Sequence, residues 1–316
     1  MLARVANNLF WMGRYIERSE HIARFLNVNY FSSLDAPNEL SQSRQFVFRS
    51  MLHRADLKNT NPDEFIEETK ILYQFTLDKN NPFSIINNIT YVRENANSAR
   101  DSISTEFYEA VNKFYHAINN YSAEDFKKNG LYSFTNFIIE NSETLKSKLH
   151  NSFLHDEVFG IIMLGVHLER ATQVIRIIIS KYNDALLSNA ESNIDNLKNS
   201  YEWTTLLKCV RTYDMMRFLY KKSPNMADTL EFLILNENCP RSITYCVNKI
   251  YRYVKILDKN QTPKKTSATR LIGKIKADYE FKTIDDIEED FQGFIKEILE
   301  NLLSVSEKLE EVYFNY

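Results

Sequence analysis

Apolar residues recur at helical spacing along almost the whole chain, and no segment alternates apolar and polar positions long enough to insist on a strand. The first such run covers residues 3–29. Asn61-Pro62 and Asn81-Pro82 both read as an N-cap followed by proline in the first turn, where the missing N–H costs nothing. From Asn81 to about Tyr121 one stripe, formed by Ile89, Val92, Ala96, Ala99, Ile103 and Phe107, predicts a single long helix. Gly130 interrupts the next stretch, which then continues to about Leu149. A further helix is predicted from about Leu154 to Leu187, then one over 193–222 that stops at Ser223-Pro224, then 227–236 and 240–258 around the loop NENCPRS. NQTPKKT at 260–266 reads as a linker, and Thr283 with Asp286 as a capping box opening a last helix to about Phe314. The fold class is therefore all-α, a bundle of long helices in one domain over 1–316, with a C-terminal helical extension from about 265.

Two of these helices carry one pattern. GRYIERSEHIARFL at 13–26 and GVHLERATQVIRII at 165–178 lie 152 positions apart. On a wheel of 100° per residue, Gly13, Glu17, Glu20 and Arg24 share one sector, and Gly165, Glu169, Thr172 and Arg176 occupy the same sector of the second helix. Taken alone, the first segment is an ordinary amphipathic helix with a charged outer face. The second is apolar almost all round, so it belongs inside, and its charges must be paired. We read an internal pseudo-repeat in which the two helices lie near each other and present Glu17, Arg24, Glu169 and Arg176 to a shared polar interior.

Two further segments bear on that interior. In YVRENANSARDSIS, residues 91–104, Arg93, Asn97, Arg100 and Ser104 recur at i, i+4, i+7 and i+11. Their guanidinium groups either balance the glutamates in a helix–helix ion-pair network or hold a carboxylate or phosphate ligand. At Cys239-Pro240-Arg241-Ser242, Arg241, Ser242 and backbone N–H groups form either an anion site or a plain capped helix start.

Composition narrows the function classes. A formal net charge of −3 with 26% charged residues gives no electrostatic reason to expect nucleic acid or an anionic membrane as the main partner. Six Gly and six Pro in 316 residues suit long helices rather than a turn-rich β fold. Cys209, Cys239 and Cys246 show no metal-ligand spacing and read as reduced thiols. The start MLARVANN lacks a signal-peptide pattern, and VFGIIMLGV at 158–166 is too short to span a bilayer, so a cytoplasmic protein is expected. No H-E-x-x-H, P-loop, G-x-S-x-G or G-x-G-x-x-G motif occurs, and no histidine follows a glutamate at three residues. No metal and no cofactor is expected. His167 reads as a core histidine.

MLARVANNLFWMGRYIERSEHIARFL resembles the opening of the bacterial alpha-E family, an all-helical group of largely unassigned biochemistry. NPFSIINNITYVRENANSARDSISTEFYEAVN resembles its central block, and LGVHLERA and FLILNENCPRS resemble its later landmarks, in family order from residue 1 to about 246. The resemblance implies polar landmarks at Arg14, Glu17, Arg18, Glu20, Arg24, Arg93, Glu94, Asn95, Arg100, Glu169, Arg170, Arg241 and Ser242. Val166-His167 and Thr172 depart from the family pattern, which commonly has Arg and a hydrophobic residue at the first two positions and an acid at the third. It also implies a context: circularly permuted ATP-grasp proteins of the amide-ligase type, with transglutaminase-like or proteasome-like peptidases in the same system.

Three readings follow. The chain is an accessory or binding component of an ATP-grasp amide- or peptide-ligase-type system with a buried Arg/Glu polar site. Alternatively it is an enzyme of the same pathway, with Glu17 or Glu169 as acid/base and Arg14, Arg18, Arg24, Arg93, Asn97, Arg100, Arg170, Arg176, Arg241 and Ser242 as the anion-binding candidates for a carboxylate- or phosphate-bearing conjugate. The third is a structural helical oligomer, for which a 13% aromatic content supplies contact surface.

Overall fold

The computed structural model describes residues 1–34, 67–189, 195–258 and 267–314, and all regular structure among them is helical. The helices are α1 (Ala3–Leu34), α2 (Glu68–Thr76), α3 (Ile85–Ser98), α4 (Thr105–Asn119), α5 (Ala123–Ser152), α6 (Glu157–Asn189) and α7 (Asp195–Cys209). They continue as α8 (Tyr213–Tyr220), α9 (Met226–Ile234), α10 (Ile243–Leu257), α11 (Ala268–Phe281), α12 (Ile284–Glu289) and α13 (Phe291–Leu309).

Side-chain caps set most of the starts. Ser84, Ser104, Ser122, Asn225, Ser242, Ser267, Thr283 and Asp290 each accept from the backbone N–H three residues on, satisfying a donor the helix leaves open. Several predicted boundaries move as a result. The single helix expected over 81–121 is two: a 3₁₀ turn at Arg100–Ser102 and the Ser104 cap separate α3 from α4. Ser84, not Asn81, caps α3, and Ser242 caps α10, so both prolines lie just outside their helices. The helix expected over 193–222 divides at Arg211, whose φ of 60° lies in the left-handed region. The last helix is split at Asp290 into α12 and α13, and α11 precedes it within the C-terminal helical extension expected from about 265. Asn61-Pro62 and the whole of the 260–266 linker reading lie outside the described residues.

The helices pack as two matching groups. In the first, α3 and α5 flank α1, and α4 bridges α3 and α5. In the second, α10 and α13 flank α6, and α11 bridges α10 and α13. The segments entering the flanking helices match as well: LDKNNPFSI at 77–85 and LNENCPRSI at 235–243. In both, a side-chain Oδ1 (Asp78, Asn236) accepts from the backbone N–H two residues on at 2.9 Å. In both, the capping serine's N–H donates to a carbonyl three residues back (Asn81, Cys239) at 3.0 Å. The pseudo-repeat thus extends well beyond residues 13–26 and 165–178.

The two groups meet where α1 crosses α6, and glycine makes the crossing close. A Cβ on Gly13 would run into the Ile162 carbonyl oxygen, and one on Gly165 into that of Phe10. The contact is reciprocal, since each glycine meets the residue three before the other. Helix α6 is long and apolar enough over Glu157–Tyr182 to cross a membrane, but most of it is buried inside the protein, as suits a core helix. The C-terminal helices join the same body: α13 packs on α6, and Phe314 stacks on Phe10 at 4.9 Å between ring centroids.

Candidate functional site: a buried Arg/Glu cluster at the helix crossing

One turn beyond the two glycines, each helix turns a glutamate toward the other. Glu17 of α1 accepts from Arg170 of α6, at 2.7 Å from Nε and 3.1 Å from Nη2. Glu169 of α6 accepts from Arg18 of α1, at 2.7 Å from Nε and 2.9 Å from Nη2. The Glu-Arg dipeptide occurs in this sequence only at 17–18 and 169–170, and each copy pairs with the other. Both pairs are bidentate, the geometry in which guanidinium binds carboxylate best.

The surroundings of the two pairs differ. At Glu169, Arg14 donates from Nε at 2.9 Å and Gln173 from its amide at 2.8 Å, while Arg14 Nη1 reaches Ser306 Oγ of α13 at 3.2 Å. At Glu17, Arg241 donates at 2.7 Å and Lys146 of α5 also binds the carboxylate. Lys146 and Arg241 both continue to Glu20, Arg241 at 2.9 Å, and Arg24 joins Glu20 at 3.2 Å. Arg170 also donates to the Pro240 carbonyl at 3.2 Å, which ties α6 to the turn before α10.

Burial by itself would raise the Glu17 carboxyl, but Arg170, Lys146 and Arg241 hold it well below the usual carboxylate range. Glu20 and Glu169 are depressed in the same way against their burial, by Lys146 and Arg241 and by Arg18 and Arg14 respectively. Burial pushes His21 down to about 4, so it is neutral. Burial likewise lowers His167, which packs against Tyr245 and Tyr253. Cys246 is pushed up to about 12 by burial, so its thiol stays protonated. A general acid or base must titrate near its working pH. Glu17 and Glu169 instead act as fixed negative charges.

The structure brings together Arg14, Glu17, Arg18, Arg24, Glu169, Arg170 and Arg241. Other sequence candidates lie elsewhere. Arg176 is exposed, on the outward side of a turn whose Val174, Ile175, Ile177 and Ile178 are buried. Arg93 donates to Asn112 at 2.9 Å and stacks on Tyr115; Asn97 accepts from Tyr108 at 2.9 Å; Arg100 lies over the Tyr108 ring. Arg93 and Asn97 tie α3 to α4, Arg100 ties the 3₁₀ turn to α4, and their contacts do not reach the glutamates. Ser242 is occupied as the α10 cap, and Arg241 turns inward. Sequence reasoning missed Lys146, Gln173 and Ser306. Lys146 shares the buried face of α5 with Ser142, Leu145 and Leu149, and a lysine on that face was the available signal.

Fold and site together define an internally duplicated all-helical protein whose halves are joined through a buried ion-pair cluster. The Alpha-E family model, described as "a predicted alpha-helical domain with a conserved ER motif", matches residues 1–314, and the chain belongs to that family. No curated protein and no solved structure matches it.

Proposed function

We propose that this chain is an accessory, non-catalytic component of a bacterial ATP-grasp amide- or peptide-ligase-type system, working in the cytoplasm. The observation that carries the non-catalytic reading is the state of Glu17 and Glu169. Both are buried, bound by two or more cations each, and held in the ionised form. The enzyme alternative asks one of them to exchange protons near neutral pH, and their electrostatics oppose that. The partner comes from the family resemblance: a circularly permuted ATP-grasp protein, with a transglutaminase-like or proteasome-like peptidase in the same system. A protein-binding role is further supported by α8, which presents Met215, Phe218 and Leu219 to solvent. The test is affinity capture of the tagged chain from its native cells, read by mass spectrometry. An ATP-grasp protein recovered in stoichiometric amount is the expected result. Recovery of the chain alone contradicts the proposal.

A further inference from the structure

The cluster is not electrically balanced. Among the described residues, three carboxylates (Glu17, Glu20 and Glu169) face six cations (Arg14, Arg18, Arg24, Lys146, Arg170 and Arg241). Around Glu17 and Glu20 alone, two acids face four cations. Glu143 lies 4.0 Å from Arg24, but it is half exposed and engaged by Arg211. An excess of two positive charges, on side chains no more than 18% exposed, calls for a counter-anion.

Two donors at this corner also lack acceptors: Nδ1 of His21 and Nε of Arg24, both buried. His21 Nε2 lies 3.1 Å from Arg241 Nη1, which can only donate, and 3.5 Å from Glu17 Oε1, which can only accept; the shorter contact to Arg241 places the ring hydrogen on Nδ1. His21 and Arg24 are three residues apart on α1, on adjacent turns. The Arg24 and Lys146 side chains keep 16% and 18% exposure, so this corner lies just beneath the surface, with the two donor atoms themselves covered.

We propose that the corner formed by His21, Arg24, Lys146 and Arg241 binds a phosphoryl dianion, whether inorganic phosphate or the phosphate group of a larger metabolite. Its oxygens accept from His21 Nδ1 and Arg24 Nε, and its two charges match the local excess, which a single carboxylate halves. The assignment concerns the cluster alone and stands whether or not the chain joins a ligase.

The test is calorimetric titration of the full chain with inorganic phosphate at about pH 8, where the dianion dominates, beside acetate and chloride at equal ionic strength. One saturable phosphate site is expected. Arg24→Lys keeps the charge and removes the Nε donor, and it should weaken binding about tenfold or more. His21→Phe should weaken it too, while Arg217→Gln, a surface control, binds as the wild type does. A phosphate-dependent rise in melting temperature that Arg24→Lys diminishes is a second expected readout. The proposal is overturned if the wild type shows no saturable phosphate binding, the corner then holding water only. Arg24→Lys binding as tightly as wild type, or acetate binding as well as phosphate, also overturns it.

Discussion

Glu17 and Glu169 do the same work from opposite sides of one helix crossing: each is a buried fixed charge that anchors the arginine of the other helix. The histidines beside them respond to pH. His21 falls from an ordinary 6.5 to about 4, and His167 is lowered too, both through burial. A depressed histidine stays neutral in the folded protein while the unfolded chain takes up a proton first. Its contribution is therefore complete above about pH 6.5 and is lost as pH falls toward 4. The three glutamates behave differently. Their contribution persists down to their ordinary value of 4.5 and drains away only in stronger acid. Urea midpoints should be level above about pH 7 and fall between 6.5 and 4, the unfolding free energy following a slope of up to about three protons because burial lowers His150 as well, and His21→Phe should flatten part of that fall. A midpoint that does not move between about pH 7 and 5 contradicts this account of the histidines.

Helix α1 and helix α6 approach each other only because Gly13 and Gly165 remove a Cβ from each side. Gly13→Ala and Gly165→Ala should each destabilise by about 3 kcal/mol, since the backbones must separate and both ion pairs lengthen. Chemical unfolding measures this, and wild-type stability in either variant would show that the helices are not held at this distance. These glycines were legible because the chain has so few, and the ER-centred stripe was legible because it recurs in a helix too apolar to be exposed. The break between α3 and α4 was not. Ala99, Ile103 and Phe107 are all buried, so the apolar stripe runs on across the turn, and Ser104 looked like a member of a polar stripe when it is a cap. Arg93, Asn97 and Arg100 misled for a related reason: periodicity gives a shared face but not which neighbour the face meets, and here it is α4.

At the scale of the molecule, two four-helix groups are related by pseudo-symmetry and share one cluster. Periodicity could predict the all-α class, and the Gly-x₃-Glu-Arg spacing could pair α1 with α6. The wider duplication was harder to see, because the Pro-x-Ser-Ile segments are 158 positions apart and the ER segments 152, so no single offset aligns both. Lys146 was hidden because its partners are on α1, 126 and 129 residues away. The duplication also explains the asymmetry. Arg241 holds the position in the second group that Phe83 holds in the first, and Lys146 lies on α5 as Ser306 lies on α13. Charge is concentrated on the Glu17 side, while the Glu169 side holds the halves together with little else. The central claim is that Glu169 is a structural charge, and Glu169→Gln tests it most directly. Equilibrium unfolding of that variant should show a loss of about 3–5 kcal/mol, because Arg14 and Arg18 are left buried beside a neutral amide. Wild-type stability together with loss of activity in the partner system would contradict the claim and make Glu169 a participant in chemistry.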